Sequence, residues 1–84
     1  MASTPDPHVL AFAAAVRMRR EELGLSQEAL GYRAKVHRTY VSDIERGARN
    51  PTVRVVWKLA KALDAEPSVL FKIAEELITT RQRG

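Results

Sequence analysis

Cysteine is absent from the 84-residue chain, and only two histidines, His8 and His37, are present. The first absence excludes a disulfide framework, a thiolate metal site and a cysteine nucleophile. The second leaves too few ligands for a metal cage without carboxylate help. No glycine-rich phosphate loop and no nucleophile–base pair can be assembled either, so catalysis has no starting point here. The expectation is a non-enzyme with no metal, no cofactor and no small-molecule ligand. Long uncharged runs are missing as well. Residues 7–16 are too few to span a bilayer and lack a basic flank before them, so neither a transmembrane helix nor a signal peptide is read. No membrane partner and a cytoplasmic location are expected.

What is present is a chain 45% hydrophobic, 29% charged and 6% aromatic, an ordinary globular composition that is too apolar for wholesale disorder. Its length leaves room for one domain. A core of this size without disulfides has only a few kcal/mol of margin, which favours helix packing or association with a second subunit.

The net charge of +4 is unevenly placed. Between positions 33 and 58 stand Arg33, Lys35, Arg38, Arg46, Arg49, Arg54 and Lys58 against Asp43 and Glu45, a local excess of +5, while the rest of the chain sums to −1. Such a block suits a polyanion, because each cation that neutralises a phosphate releases condensed counterions. A solvated basic surface would carry the same charge, so local sequence has to decide between them.

Residues 1–7 have two prolines and no period, and read as a tail. From 8 to 23, Phe12, Val16 and Leu23 share one helical stripe interrupted by Arg20, and Gly24 supplies a stop. Ser26 stands as an N-cap for a short second helix ending near Ala34. Val36, Val41 and Ile44 space a third helix over 38–46, closed by Gly47. The short link of about three residues forces the second and third helices to cross steeply. Asn50, Pro51 and Thr52 form a loop and cap, and Val53, Val56, Ala60 and Leu63 mark a fourth helix ending near Asp64. Pro67 opens a fifth, whose apolar face runs through Leu70, Phe71, Ala74, Leu77 and Ile78. The reading is all-α, a compact five-helix domain over 8–79 with a polar tail at 80–84, and no strand.

The stretch Leu25-Ser26-Gln27-Glu28-Ala29-Leu30, then Val36, then Tyr40-Val41-Ser42-Asp43-Ile44-Glu45-Arg46-Gly47, resembles the helix-turn-helix family of the lambda and 434 phage repressors. The likeness extends over 16–71, including Asn50-Pro51-Thr52 and Leu59-Ala60-Lys61-Ala62-Leu63. Within that family, the small size and the run Arg38-Thr39-Tyr40 with Arg49-Asn50 look most like controller proteins of restriction-modification systems. Three positions depart from the pattern. Lys35 stands where a turn glycine is common, His37 where the recognition helix usually has an Asp or Ser cap, and Gly31 where alanine is usual.

The resemblance implies a transcription regulator that binds double-stranded DNA as a homodimer on an approximately inverted-repeat operator, with an antitoxin or a phage-type repressor as alternatives. A helical protein-interaction module is the alternative of a different class. Arg38 and Thr39, at the start of the recognition helix, are the candidates for base contact: arginine pairs bidentately with guanine O6 and N7, and threonine offers a hydroxyl and a methyl. Gln27, Tyr40, Ser42, Arg46, Arg49 and Asn50 are candidates for phosphate contact, although Tyr40 also suits partial core burial and Ser42 suits packing. The resemblance pairs Arg20 with Glu45 as a structural ion pair, which an arginine within an apolar stripe needs. Trp57 lies off the core face of the fourth helix. With Val69, Phe71, Ile73 and Ile78, which exceed what one face of the fifth helix buries, it suggests a patch that a second subunit covers, with Trp57, Val69, Phe71 and Ile73 at the dimer interface, or else a thicker intramolecular core.

Overall fold

The computed structural model describes residues 6–83, with side chains to Thr80. Most of the expected tail, residues 1–5, and Gly84 lie outside the described residues. Five helices follow one another: α1 (Pro7–Glu22), α2 (Gln27–Ala34), α3 (Arg38–Glu45), α4 (Val53–Ala62) and α5 (Pro67–Arg83), with no strand among the described residues.

The helix ends follow from local chemistry. Asp6 and Pro7, read from sequence as tail, instead start α1. Pro7 occupies the first turn, where its missing N–H costs nothing, and the Asp6 carboxylate accepts the His8 N–H at 2.7 Å and the Val9 N–H at 3.3 Å. Those two donors hold the Asp6 carboxyl below its ordinary value. Ser26 caps α2 through the Ala29 N–H at 2.9 Å, and Thr52 caps α4 through the Val55 N–H at 3.2 Å. At the other end of the chain α5 continues to Arg83, through residues expected to form a polar tail.

The turn between α2 and α3 takes a strained form. Lys35 adopts φ 59°, ψ 43°, the left-handed region, at a cost of roughly 1 kcal/mol for a residue with a side chain. The return is a paired helix end: the Val36 N–H donates to the Gly31 carbonyl at 2.9 Å and the Lys35 N–H to that of Tyr32 at 3.3 Å. Gly31 makes this closure possible, since a Cβ there would lie 2.7 Å from the Val36 oxygen and 3.3 Å from the Arg38 nitrogen. His37 then caps α3, its Nδ1 accepting the Thr39 N–H at 3.0 Å.

The main core gathers Phe12 and Val16 of α1, Leu30 of α2, Val41 and Ile44 of α3, Leu59 and Leu63 with their α4 neighbours, and Leu70 of α5. A second, smaller cluster joins α1 to α5: Ala11, Ala15 and Ala74 are buried, with Ile73 and Ile78 packed against them. The alanines leave α1 flat enough for α5 to lie close along it. The helix-turn-helix unit is thereby carried on a scaffold of α1, α4 and α5.

Candidate nucleic-acid interface

Behind the recognition helix sits the ion pair expected between Arg20 and Glu45. Arg20 Nε donates to Oε2 at 2.7 Å and Nη2 to Oε1 at 3.0 Å, while Nη1 donates to the Leu25 carbonyl at 2.7 Å. The pair is nearly out of solvent, with side chains 12% and 3% exposed. Hydrogen bonding to Glu45 raises the Arg20 pKa, outweighing desolvation. Gln27, expected to reach a phosphate from the start of α2, gives its amide N–H to Glu45 Oε1 at 3.0 Å. Glu45 therefore ties α1 and the start of α2 to the end of α3, and one amide proton of Gln27 is already committed.

Arg38 and Thr39 stand exposed in the first turn of α3. Arg38 Nη1 donates to Oε2 of Glu28, on α2, at 2.9 Å. The Thr39 backbone N–H is taken by His37, and its side chain lies exposed. Tyr40 is half-buried against the main core, and the Arg49 guanidinium carbon lies 5.2 Å from its ring centroid, within the range of a cation–π contact. Ser42 is also half-buried, between buried Val41 and partly covered Asp43. Arg46 and Arg49 are both exposed and both paired with Asp43: Arg46 Nη2 with Oδ1, and Arg49 Nε with Oδ2 at 3.4 Å. Asn50 is exposed beside a depression lined by Phe12, Val56 and Phe71.

The surplus apolar residues divide. Trp57 is 59% exposed, one turn beyond Val53 at 72%, so α4 does present an uncovered apolar strip. Phe71 is 47% exposed on one edge of α5, its ring 5.2 Å from that of Phe12. Val69 lies two positions from Phe71, on the opposite edge of the α5 stripe, beside Arg19, Lys61 and Glu66. Ile73 packs into the α1–α5 cluster. Expected to share one patch, the α5 residues divide: Val69 and Phe71 flank its buried stripe on opposite sides, and Ile73 is largely taken up by α1, while Trp57 stands exposed on α4.

Sequence reasoning missed three groups at this face. Glu28 and Asp43 pair with its arginines, and His37 serves as the cap of α3 where its identity had marked only a departure from pattern. Arg19 was also missed; its Nε donates to the Leu63 carbonyl at 3.0 Å and Nη2 to that of Asp64 at 3.3 Å, closing the end of α4.

Two short helices joined by a three-residue turn, the second locked from behind and its first turn exposed, define a helix-turn-helix domain. The chain belongs to the helix-turn-helix family, whose profile matches residues 16–70. It is similar to the control protein C.BamHI of Bacillus amyloliquefaciens, 44% identical over 63 residues, which is 74% of this chain and 78% of that protein. Against the control protein C.SmaI of Serratia marcescens the identity is 44% over 58 residues, 68% and 69% of the two chains. Among solved structures it resembles the restriction-modification controller protein C.AhdI of Aeromonas hydrophila, with TM-score 0.73, 42% identity and coverage of 74% of this chain and 94% of that one. For wild-type controller protein C.Esp1396I the TM-score is 0.81 at 30% identity, covering 87% and 95%.

Proposed function

We propose that the protein is a sequence-specific DNA-binding transcription regulator of the restriction-modification controller type, acting by binding rather than catalysis. The observation that carries this reading is the pairing of a solvent-exposed first turn on α3 with a locked far end. Arg38 and Thr39 are exposed where a recognition helix enters the major groove, and the Arg20–Glu45 pair fixes that helix on its scaffold. The similarity to control proteins supports the narrower assignment.

In this reading Arg38 and Thr39 contact bases. Tyr40, Arg46, Arg49 and Asn50 anchor phosphates from the end of α3 and the loop after it, and Gln27 and Ser42 contribute with the polar groups that packing leaves them. One recognition helix covers too few base pairs for a specific site, so the protein works as a homodimer on an approximately inverted repeat with half-sites one helical turn apart. Trp57 and Val53 on α4 and Phe71 on α5 offer exposed apolar surface for the two-fold contact; Val69, on the other edge of α5, and Ile73, largely covered by α1, contribute less. Residues 8–79 act as the DNA-binding and dimerising unit, and the site of action is the cytoplasm. No helix among the described residues is long and apolar enough to cross a membrane.

A gel-shift titration with the DNA immediately upstream of the protein's own reading frame, repeated at two salt concentrations, tests this. Specific retention with a steep salt dependence is the expected result. Equal retention of that DNA and a scrambled duplex would remove the sequence-specific reading.

A further inference from the structure

Arg38 opens the recognition helix with its side chain 64% exposed, yet its guanidinium is already engaged by Glu28, itself 72% exposed. The partners stand on different helices, ten positions apart across the α2–α3 turn, so the contact is no by-product of helical repeat spacing. An ion pair this open to solvent adds little to folding. Its consequence falls instead on the geometry of Arg38, whose long side chain would otherwise sample many rotamers.

The contact uses one corner of the fork. Nη1 is anchored on Glu28 Oε2, and the edge formed by Nε and Nη2 has no partner among the described residues. That edge carries two parallel N–H groups, the arrangement guanine O6 and N7 accept from arginine. The same carboxylate repels phosphate, the default partner of a mobile arginine on non-specific DNA. Glu28 thus disfavours the sequence-independent use of Arg38 and leaves the base-directed edge open.

We propose that Glu28 is a positioning residue for base recognition: it holds Arg38 by Nη1 so that the Nε–Nη2 edge meets a base, and it raises discrimination rather than affinity. This rests on the reading of Arg38 as a base contact. It also gives α2 a part in specificity beyond any phosphate contact.

The test compares wild type, Glu28→Gln, Arg38→Ala and the double variant. The probes are duplexes of about two helical turns that wild type recovers from a randomised pool, each then carried through all four base pairs at every position. Arg38→Ala identifies the position that Arg38 reads. Glu28→Gln is expected to keep the wild-type melting temperature, bind random duplex more tightly, and lower preference at that one position by about five-fold, a fraction of what a bidentate contact supplies. The double variant should show no less preference there than Arg38→Ala alone, because Glu28 acts through Arg38.

Preference unchanged in Glu28→Gln, or weakened equally at all positions, overturns the proposal while leaving Arg38 as a base reader. Preference intact in Arg38→Ala removes the base-reading assignment itself, and the role of Glu28 with it. Failure of wild type to recover any sequence would overturn both together with the DNA-binding reading.

Discussion

Arg20 and Glu45 meet through two hydrogen bonds, at 2.7 and 3.0 Å, between α1 and the end of α3, and a third partner, Gln27, closes on the same carboxylate at 3.0 Å. Three of the five helices are therefore registered by one glutamate. Because the pair is nearly out of water, either charge left alone is poorly solvated.

Arg20→Ala and Glu45→Ala should each destabilise the fold by about 3 kcal/mol, and the double variant should lose less than the two singles combined. Urea unfolding of the four proteins measures this. Strict additivity would mean that the pair has no energetic coupling.

The α2–α3 turn supplies a pair of opposite expectations. Gly31→Ala gains helix propensity of about 1 kcal/mol but drives a Cβ to 2.7 Å from the Val36 oxygen, so it should be net destabilising by about 1 to 2 kcal/mol. Lys35→Gly releases the left-handed strain and should stabilise by about 0.5 kcal/mol, after the greater entropy of glycine in the unfolded chain is set against it. Thermal melts that moved in the same direction for both would refute this account of the turn.

The helix-turn-helix itself was legible because its boundaries are written in short-range signals: Ser26 as cap, Gly24 and Gly47 as stops, and apolar residues at helical spacing. The Arg20–Glu45 pair was legible only through family resemblance, since nothing in the spacing of positions 20 and 45 joins them. Other features escaped for physical reasons. The end of α5 is polar, so no apolar period marks it, although a helix already docked along α1 can continue without one. Ile73 counts as surplus when only the Phe12–Val16 stripe of α1 is taken as apolar cover, whereas the small Ala11 and Ala15 beside that stripe admit α5 against α1. The Glu28–Arg38 contact joins two exposed side chains across a turn, which no periodicity reports.

Arg49 lies over the Tyr40 ring and is exposed, as a phosphate-anchoring arginine should be. Arg49→Ala should weaken binding to every duplex alike and lessen the salt slope of log K by about 1. Competition titrations at several salt concentrations measure it; an unchanged slope would place Arg49 away from the backbone.

Trp57 is the sharper probe of assembly than Ile73, because it is largely exposed while Ile73 supports the α1–α5 contact. Trp57→Asp should therefore give a folded monomer that binds DNA much more weakly, whereas Ile73→Asp should also lower the melting temperature. Sedimentation equilibrium decides the point. Wild type found as a monomer at a concentration giving tight operator binding would count against the homodimer.

Asp43 faces both Arg46 and Arg49 before any DNA is present, and in polyelectrolyte terms it is a tethered counterion. Unlike a free anion it cannot be lost to the bath by dilution. An arginine that moves from Asp43 to a phosphate leaves a carboxylate close to the duplex, which retains part of the cation cloud that phosphate neutralisation would release. The effective valence of this face is then smaller than its number of arginines. Its grip on a polyanion should tolerate changes in ionic strength better than a tally of positive side chains implies.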